Sequence, residues 1–134
     1  MVQTPEEEND VVNVNVVAET SLGDQNITVS IPSNATIVRA LAMARISIMN
    51  NAATAQKIDL RLDVEGVTLF DQDDVVGFPA ADGASATYTI AEDATDEVTS
   101  NGQEVTLEAF ATLSAAASVR FQVEYFLFIT YRLS

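Results

Sequence analysis

The stretch ASVRFQVEYFLFITYRL, residues 117–133, decides the fold because it alternates apolar and polar side chains over most of its length. An apolar residue stands at every odd position from Val119 to Leu133, the two-residue period at which strand side chains return to one face of a sheet. The even positions are polar at both ends, and only Phe126 and Phe128 in the middle are apolar. The pattern therefore predicts a long strand with one face in the core.

Phe126 and Phe128 on the other face of this strand have two interpretations. The strand is central and buried on both sides, with a loop or another segment covering the rings, or the rings form a subunit contact. A large apolar patch in a strand-rich protein seldom faces water unused, which makes Phe126 and Phe128 candidate interface residues.

The clearest amphipathic strand upstream is QKIDLRLDV, residues 56–64, with Ile, Leu and Val on one face and charged residues on the other. Glu65–Gly66 is a candidate two-residue hairpin turn, after which VTLF at residues 67–70 returns antiparallel. The following region, residues 71–85, contains DQDD, Pro79 and two glycines, and is predicted to be a long loop.

The segment TIVRALAMARISIM, residues 36–49, fits both a helical and a strand period. We interpret it as a strand because it lies between strand-like neighbours, lacks a helix C-cap and carries β-branched residues at both ends. Arg39 and Arg45 within it could bind an anion, but pairing with surface carboxylates is the simpler interpretation.

Other alternating stretches lie at residues 12–18, 26–31, 86–91 and 104–114. Residues 1–10, MVQTPEEEND, have no apolar period and are predicted to form a flexible acidic arm. About eight strands in residues 11–134, with no clear helix, predict one all-β domain: an antiparallel two-sheet sandwich, with jelly-roll topology favoured at this length.

The composition excludes many kinds of chemistry. The 134 residues include no cysteine and no histidine, which removes disulfides, thiolate nucleophiles, the usual general base and the commonest metal ligands. The start of the chain lacks the features of a signal peptide, and no apolar run is long enough to span a membrane. We therefore expect a soluble, non-enzymatic chain with no cofactor and no membrane partner.

Charge is the strongest compositional signal, since twenty acidic residues against six basic ones give a net charge of −14. Nucleic acid is excluded as a partner because its phosphates would be repelled. The carboxylates recur along the whole chain, and lysine is nearly absent. Such a surface is typical of proteins that work in concentrated salt, where self-repulsion is screened. The alternative is an ordinary acidic protein that its net charge keeps soluble.

Asp71, Asp73 and Asp74 form the candidate cation site in the predicted loop, because closely spaced carboxylates suit calcium. The cluster lacks the glycine and terminal glutamate of an EF-hand loop, and a solvated acidic loop is the simpler interpretation. We therefore predict no metal site, with these three residues as the candidate exception.

The stretches TIVRALAMARISIMNNAATAQKIDLRLDVEGVTLF and EVTLEAFATLSAAASVRFQVEYFLFITYRL, at residues 36–70 and 104–133, resemble the small jelly-roll structural proteins of virions, such as the capsid-decorating and tower-forming proteins of tailed viruses. The resemblance lies in strand rhythm, loop placement and a terminal aromatic strand, and transfers no site residues. Together with the acidic surface, it implies a virus of a haloarchaeon.

The resemblance implies a capsid-associated protein on the virion surface that acts by assembling. Its expected partners are itself, as a homotrimer, and other capsid proteins, which the acidic arm would contact. An alternative from another class is a cell-surface or secreted β-sandwich module of a halophile that binds carbohydrate or calcium. An aromatic-lined groove or an ordered cation at Asp71, Asp73 and Asp74 would favour that alternative.

Overall fold

The final strand, β9 (Val119–Leu133), lies at the centre of one of two antiparallel sheets. The computed structural model describes residues 1–134 and contains nine strands and no helix, so no helix could cross a bilayer. The odd-numbered side chains of β9 are buried from Val119 to Ile129, which confirms the predicted core face. The buried file stops there, and Leu133 at the end of the strand is 58% exposed.

Sheet A contains β9 and four further strands: β1 (Val2–Gln3), β2 (Val12–Val14), β4 (Ala35–Asn50) and β7 (Ser85–Asp93). Their order is β1-β9-β4-β7, and β2 also pairs with β9 beyond the end of β1. Sheet B has the order β3-β8-β5-β6, with β3 (Thr20–Thr28), β8 (Glu104–Leu113), β5 (Gln56–Val64) and β6 (Val67–Phe78). All the strand pairs are antiparallel.

The topology is that of a jelly roll, with β1 and β2 as one interrupted first strand. Every connection crosses between the sheets except the hairpin that joins β5 to β6. The predicted antiparallel two-sheet sandwich is therefore confirmed. The inner faces of the two sheets form one core, because alternate side chains of each strand point inward.

The ambiguous segment at residues 36–49 is a strand, as predicted, and lies within β4. Its backbone pairs with β9 on one side and β7 on the other, and this pairing overrides the helical period. The fully buried Ala40, Ala42 and Ala44 face sheet B. The Glu65–Gly66 hairpin is also confirmed, and both residues have positive φ, 52° and 74°.

The prediction of a long loop over residues 71–85 is wrong in its first half. Strand β6 continues to Phe78 because Val76 and Phe78 pack into the core and hold the strand against β5. A bulge opposite Asp59 absorbs the extra residues, and Asp74 within it has a φ of 54°. A true loop begins only after Phe78.

The first predicted strand is also shorter than expected, because β2 ends at Val14 and Val16 beyond it is 48% exposed. Strand β3 begins at Thr20, six residues before the predicted stretch at residues 26–31. Gly23 has a φ of +99°, which a glycine adopts easily, and it forms a bulge between Ser21 and Asp24 that keeps the strand continuous.

Residues 1–10, the predicted flexible arm, lie along the free edge of β9. Val2 and Gln3 pair with Phe128 and Leu127, and the Met1 carbonyl accepts a hydrogen bond of 2.7 Å from the Ile129 N–H. Asn9 is buried against Gly23. These contacts give the position of the arm, and its flexibility stays a prediction.

Candidate interface on the outer face of sheet A

The strand register brings five apolar side chains together on the outer face of sheet A. Phe128 lies between Val2 on β1 and Leu41 on β4, and Phe126 lies beside Met43 on β4. These positions alternate with the buried ones, so their side chains point away from the core. We call this group the apolar patch: Val2, Leu41, Met43, Phe126 and Phe128.

The rings of the apolar patch lie partly in water. Phe128 is 38% exposed and Val2 is 50% exposed, while Phe126, Leu41 and Met43 are half-buried. The two phenyl rings contact each other in a tilted arrangement, with centroids 6.5 Å apart. Phe128 is exposed and Phe126 is half-buried beside Thr4 and Pro5 of the arm, so the assignment of these two residues to a subunit contact stays a prediction.

A salt bridge lies next to the apolar patch at one of its ends. Arg45 on β4 pairs with Glu124 on β9 across the strands, with 2.7 Å between Nη2 of Arg45 and Oε1 of Glu124. About half of each side chain is exposed, so the pair itself contributes little to the free energy of unfolding.

At the other end of the patch, Arg39 lies 4.0 Å from the carboxylate of Asp93. Asp93 accepts hydrogen bonds from Thr95, 2.6 Å from the hydroxyl and 2.8 Å from the backbone N–H. These bonds, with a smaller contribution from Arg39, lower the pKa of Asp93. Both Arg39 and Arg45 therefore have carboxylate partners, as the simpler interpretation predicted.

The outer face of sheet A also collects most of the positive charge. Four of the six basic side chains lie on it, against two carboxylates from its strands: Arg39, Arg45, Arg120 and Arg132, with Asp93 and Glu124. This face is locally basic in a chain of net charge −14.

The outer face of sheet B is strongly acidic by comparison. Asp24, Glu108 and Asp63 stand side by side on β3, β8 and β5. Like charges in adjacent cross-strand positions destabilise a sheet. Hydrogen bonds offset part of this cost, since Ser21 donates to Glu108 and Thr68 donates to Asp63.

Arg61 is the main cation on this acidic face. Its guanidinium group lies 3.9 Å above the ring of Phe110, and Nη1 lies 3.1 Å from a carboxylate oxygen of Glu19. Lys57 is the other basic residue of sheet B. The charges of the molecule are therefore divided between its two faces.

Asp71, Asp73 and Asp74, the candidate cation residues, lie on β6 instead of in a loop. Asp71 stands opposite Arg61, and the N–H of Asp74 donates a 2.8 Å hydrogen bond to Asp59. No group of three or more carboxylate, histidine or cysteine side chains is arranged to hold a metal ion.

The second titratable group with a displaced pKa is Tyr125, which is 1% exposed. Burial raises the pKa of its hydroxyl group, which lies between the two sheets and is not open to a substrate. Each pKa shift therefore has a cause within the fold: hydrogen bonds from Thr95 lower the pKa of Asp93, and burial between the sheets raises the pKa of Tyr125.

Sequence reasoning found two members of the apolar patch, Phe126 and Phe128, and missed Val2, Leu41 and Met43. The signal for Leu41 and Met43 was present, because they alternate with the buried alanines of β4. Their proximity to Phe126 and Phe128 depends on strand pairing, which the sequence pattern does not specify.

No protein-family model matches the sequence, and no curated protein matches it either. Solved structures do share the fold. The insecticidal delta-endotoxin Cry8Ea1 of Bacillus thuringiensis superposes with a TM-score of 0.56 at 15% identity, over 90% of this chain and 20% of that chain. A chain of the T13 IBDV viral particle superposes with a TM-score of 0.53 at 11% identity, over 95% of this chain and 30% of that chain.

A looser likeness is to the C-terminal domain of EclA, a sugar-binding protein, at 11% identity over 93% of this chain and 80% of that domain. Its TM-score of 0.45 is too low to support an argument. This chain spans only 20% and 30% of the endotoxin and viral-particle chains. At these identities the likeness shows a shared fold, and one of the proteins with that fold belongs to a viral particle.

Proposed function

We propose that this chain is a non-enzymatic virion structural protein that assembles on or in a viral capsid, as a decoration, tower or minor capsid protein adapted to high salt. The observation that carries the proposal is the apolar patch. A monomer that leaves two contacting phenyl rings and three aliphatic or thioether side chains together on one sheet face presents an interaction surface. Phe126 and Phe128 are the proposed subunit-contact residues.

The fold supports this proposal. Jelly rolls occur in viral capsid and lectin domains, and an IBDV viral-particle chain shares the fold. A capsid protein needs surfaces for its neighbours and no catalytic groups. The absence of cysteine and histidine agrees with such a role, and so do the structural causes of both displaced pKa values.

The finer parts of the proposal concern assembly. We take the unit to be a homotrimer on the capsid surface, with the acidic arm of residues 1–10 contacting a neighbour or the shell. The arm lies beside the apolar patch, since Glu8 borders the same depression as Glu124 and Phe126. The charge of −14 supports the proposed salt-rich environment and, with it, the proposed haloarchaeal host.

The proposal is tested on virus particles purified by density gradient from the cultures that produce this chain. Quantitative peptide mass spectrometry should find the chain in many copies per particle, and at a constant ratio to the other capsid proteins across independent preparations. A membrane-vesicle fraction from the same gradient serves as the control for contamination.

The contrary outcome is equally specific. If the chain is found in the cell envelope or the secreted fraction and is absent from particles, it is not a virion protein. A halophile cell-surface or secreted module that binds carbohydrate or calcium would then be the function to test.

A further inference from the structure

We call the outward-facing cross-strand pairs of β4 and β9 the seam, and several of these pairs match chemically. Four successive outward-facing pairs of β4 with β9, from Leu41 to Ser47, each consist of two chemically matched residues. Leu41 with Phe128 and Met43 with Phe126 are apolar pairs, and Ser47 with Gln122 is a neutral polar pair. The charged row between them, Arg45 with Glu124, consists of opposite charges.

This matching makes the seam complementary to a second copy of itself. Two sheets that pack face to face lie about 10 Å apart, with their strands roughly aligned. A two-fold axis that runs along the seam, in the plane between the two sheets, places β9 of one copy over β4 of the other. Each residue then meets the cross-strand partner of its own row.

Under that rotation the apolar rows bury one another, with Leu41 over Phe128 and Met43 over Phe126 of the other copy. In the charged row, Arg45 lies over Glu124 of the other copy, and Glu124 lies over its Arg45. Two exposed salt bridges thereby become one closed ring of four alternating charges. A two-fold interface must be self-complementary, and these rows satisfy that requirement.

We propose that two copies of this chain associate through the outer faces of sheet A, about a two-fold axis that follows the β4–β9 seam. Each copy pairs its Arg45 with Glu124 of the other. This inference deepens the proposed function and rests on its assumption that the chain self-assembles. A two-fold contact of this kind would join trimers to one another, and the threefold contact would use other surfaces.

Charge favours this partner over the other surface of the same chain. Docking the apolar patch onto the outer face of sheet B would bury the row Asp24, Glu108 and Asp63 against apolar side chains. Burying carboxylates without compensating partners is costly. In the seam-to-seam contact, Arg45 and Glu124 each meet the opposite charge of the other copy, so this row keeps its partners.

The test uses two charge-reversal variants and their mixture. Arg45→Glu puts two carboxylates in the central row, and Glu124→Arg puts two guanidinium groups there. We expect each variant alone to dimerise with a Kd raised at least about tenfold, because juxtaposed like charges oppose association. An equimolar mixture should regain a Kd within about threefold of the unmodified chain, since acidic and basic rows then meet.

Sedimentation equilibrium in about 1 M sodium chloride measures the Kd values, because the Debye length there is about 3 Å and long-range repulsion is screened. Native mass spectrometry of the mixture should identify the recovered species as heterodimers. The control variants are Lys57→Glu and Glu104→Arg on the outer face of sheet B, which change the net charge by the same amounts. They should leave the Kd of the dimer unchanged.

The alignment of the two copies is tested with Ser47→Cys, since the chain has no cysteine of its own. If the axis follows the seam, the two introduced thiols lie about 10 Å apart and a short bis-maleimide joins them. An axis across the strands through the patch would separate them by more than about 20 Å. Thr28→Cys on the outer face of sheet B is the control, and it should not cross-link.

The inference is overturned if the unmodified chain stays monomeric in this buffer, if the mixture fails to recover dimers, or if Ser47→Cys does not cross-link. Failure of the proposed function looks different: the two-fold dimer forms in solution, but the chain is absent from particles. If the chain is present in particles and the seam variants assemble normally, the virion role stands and the patch binds another capsid protein or the arm.

Discussion

Tyr125 is the residue that links the two sheets through polar contacts inside the core. Its hydroxyl donates a 2.6 Å hydrogen bond to the Gly23 carbonyl and accepts a 2.7 Å hydrogen bond from the Ala109 N–H. One side chain of β9 therefore holds β3 and β8. Gly23 is the bulge residue, and a Cβ there would lie 3.2 Å from the Asn9 amide nitrogen, so the bulge, the arm and the tyrosine form one packed unit.

We expect Tyr125→Phe to lower the free energy of unfolding by about 2 kcal/mol, because the variant leaves the Ala109 N–H and the Gly23 carbonyl without their buried partner. The variant should also change the response to alkaline pH. Burial raises the pKa of Tyr125, so its contribution is complete below about pH 10, where unfolded tyrosine begins to ionise, and is lost as the pH rises further.

Urea unfolding at pH 7 and at a series of alkaline pH values measures both effects. The unmodified chain should lose stability above about pH 10 more steeply than Tyr125→Phe. Tyr131→Phe, on the same strand and only half-buried, is the matched control and should change neither quantity. Equal alkaline slopes for the unmodified chain and Tyr125→Phe would show that Tyr125 does not have this role.

At the scale of the element, the two faces of β9 have different surroundings. Its odd-numbered side chains fill the core, and its even-numbered ones form half of the seam with β4. Because successive side chains point to opposite faces, a substitution on the outer face leaves the core packing unchanged. The core packing of the strand and the proposed contact on its outer face can therefore be tested separately by mutation.

We expect Phe126→Ser combined with Phe128→Ser to reduce self-association and to leave strand content intact. The two rings are half-buried and 38% exposed, so the change creates no enclosed cavity of the kind that costs several kcal/mol in a core. Light scattering reports the mass, and far-ultraviolet circular dichroism on the same sample reports the strand content.

Thr28→Ser with Thr112→Ser, on the outer face of sheet B, is the control for general effects of substitution. Unfolding of the phenylalanine double variant would mean that the rings belong to the core. An unchanged mass would mean that they do not form the subunit contact.

At the scale of the whole molecule, charge is distributed unevenly. The outer face of sheet A carries most of the basic residues, while the outer face of sheet B carries carboxylates on adjacent strands. In dilute buffer the Debye length is about 30 Å, so each carboxylate is repelled by most of the others. Repulsion is greater in an assembly, because it brings several such molecules together.

We expect dissociation first and loss of folded stability second as sodium chloride falls from about 3 M to about 0.01 M, a range over which the Debye length grows roughly tenfold or more. Mass and melting temperature against salt concentration are the two measurements. Asp24→Asn removes the negative charge at one end of the acidic row and breaks no side-chain hydrogen bond. It should make the melting temperature less dependent on salt.

Asp96→Asn makes the same change of charge at an exposed position outside the sheets and is the matched control. It should shift the melting curve less than Asp24→Asn. If both mass and melting temperature stay constant across the salt range, the interpretation as a high-salt protein fails, together with the inferred haloarchaeal host.

Particular elements show which parts of the fold the sequence predicts and which it does not. The alternation in residues 119–129 and 56–64 predicts the two central strands and their buried faces, and Glu65–Gly66 predicts the hairpin, because these signals lie within a few consecutive residues. The loop predicted at residues 71–85 failed because Val76 and Phe78 pack into the core after a bulge, and a bulge breaks the period on which the prediction depends.

The sequence by itself determined the all-β class, the core face of β9, the acidic character and the exclusion of cysteine and histidine chemistry. Only the tertiary structure decided that Leu41 and Met43 lie beside Phe128 and Phe126, and that Arg45 faces Glu124. The physical reason is that side-chain alternation is a property of one strand. The neighbours of that strand are chosen by long-range pairing and by the packing of the whole core.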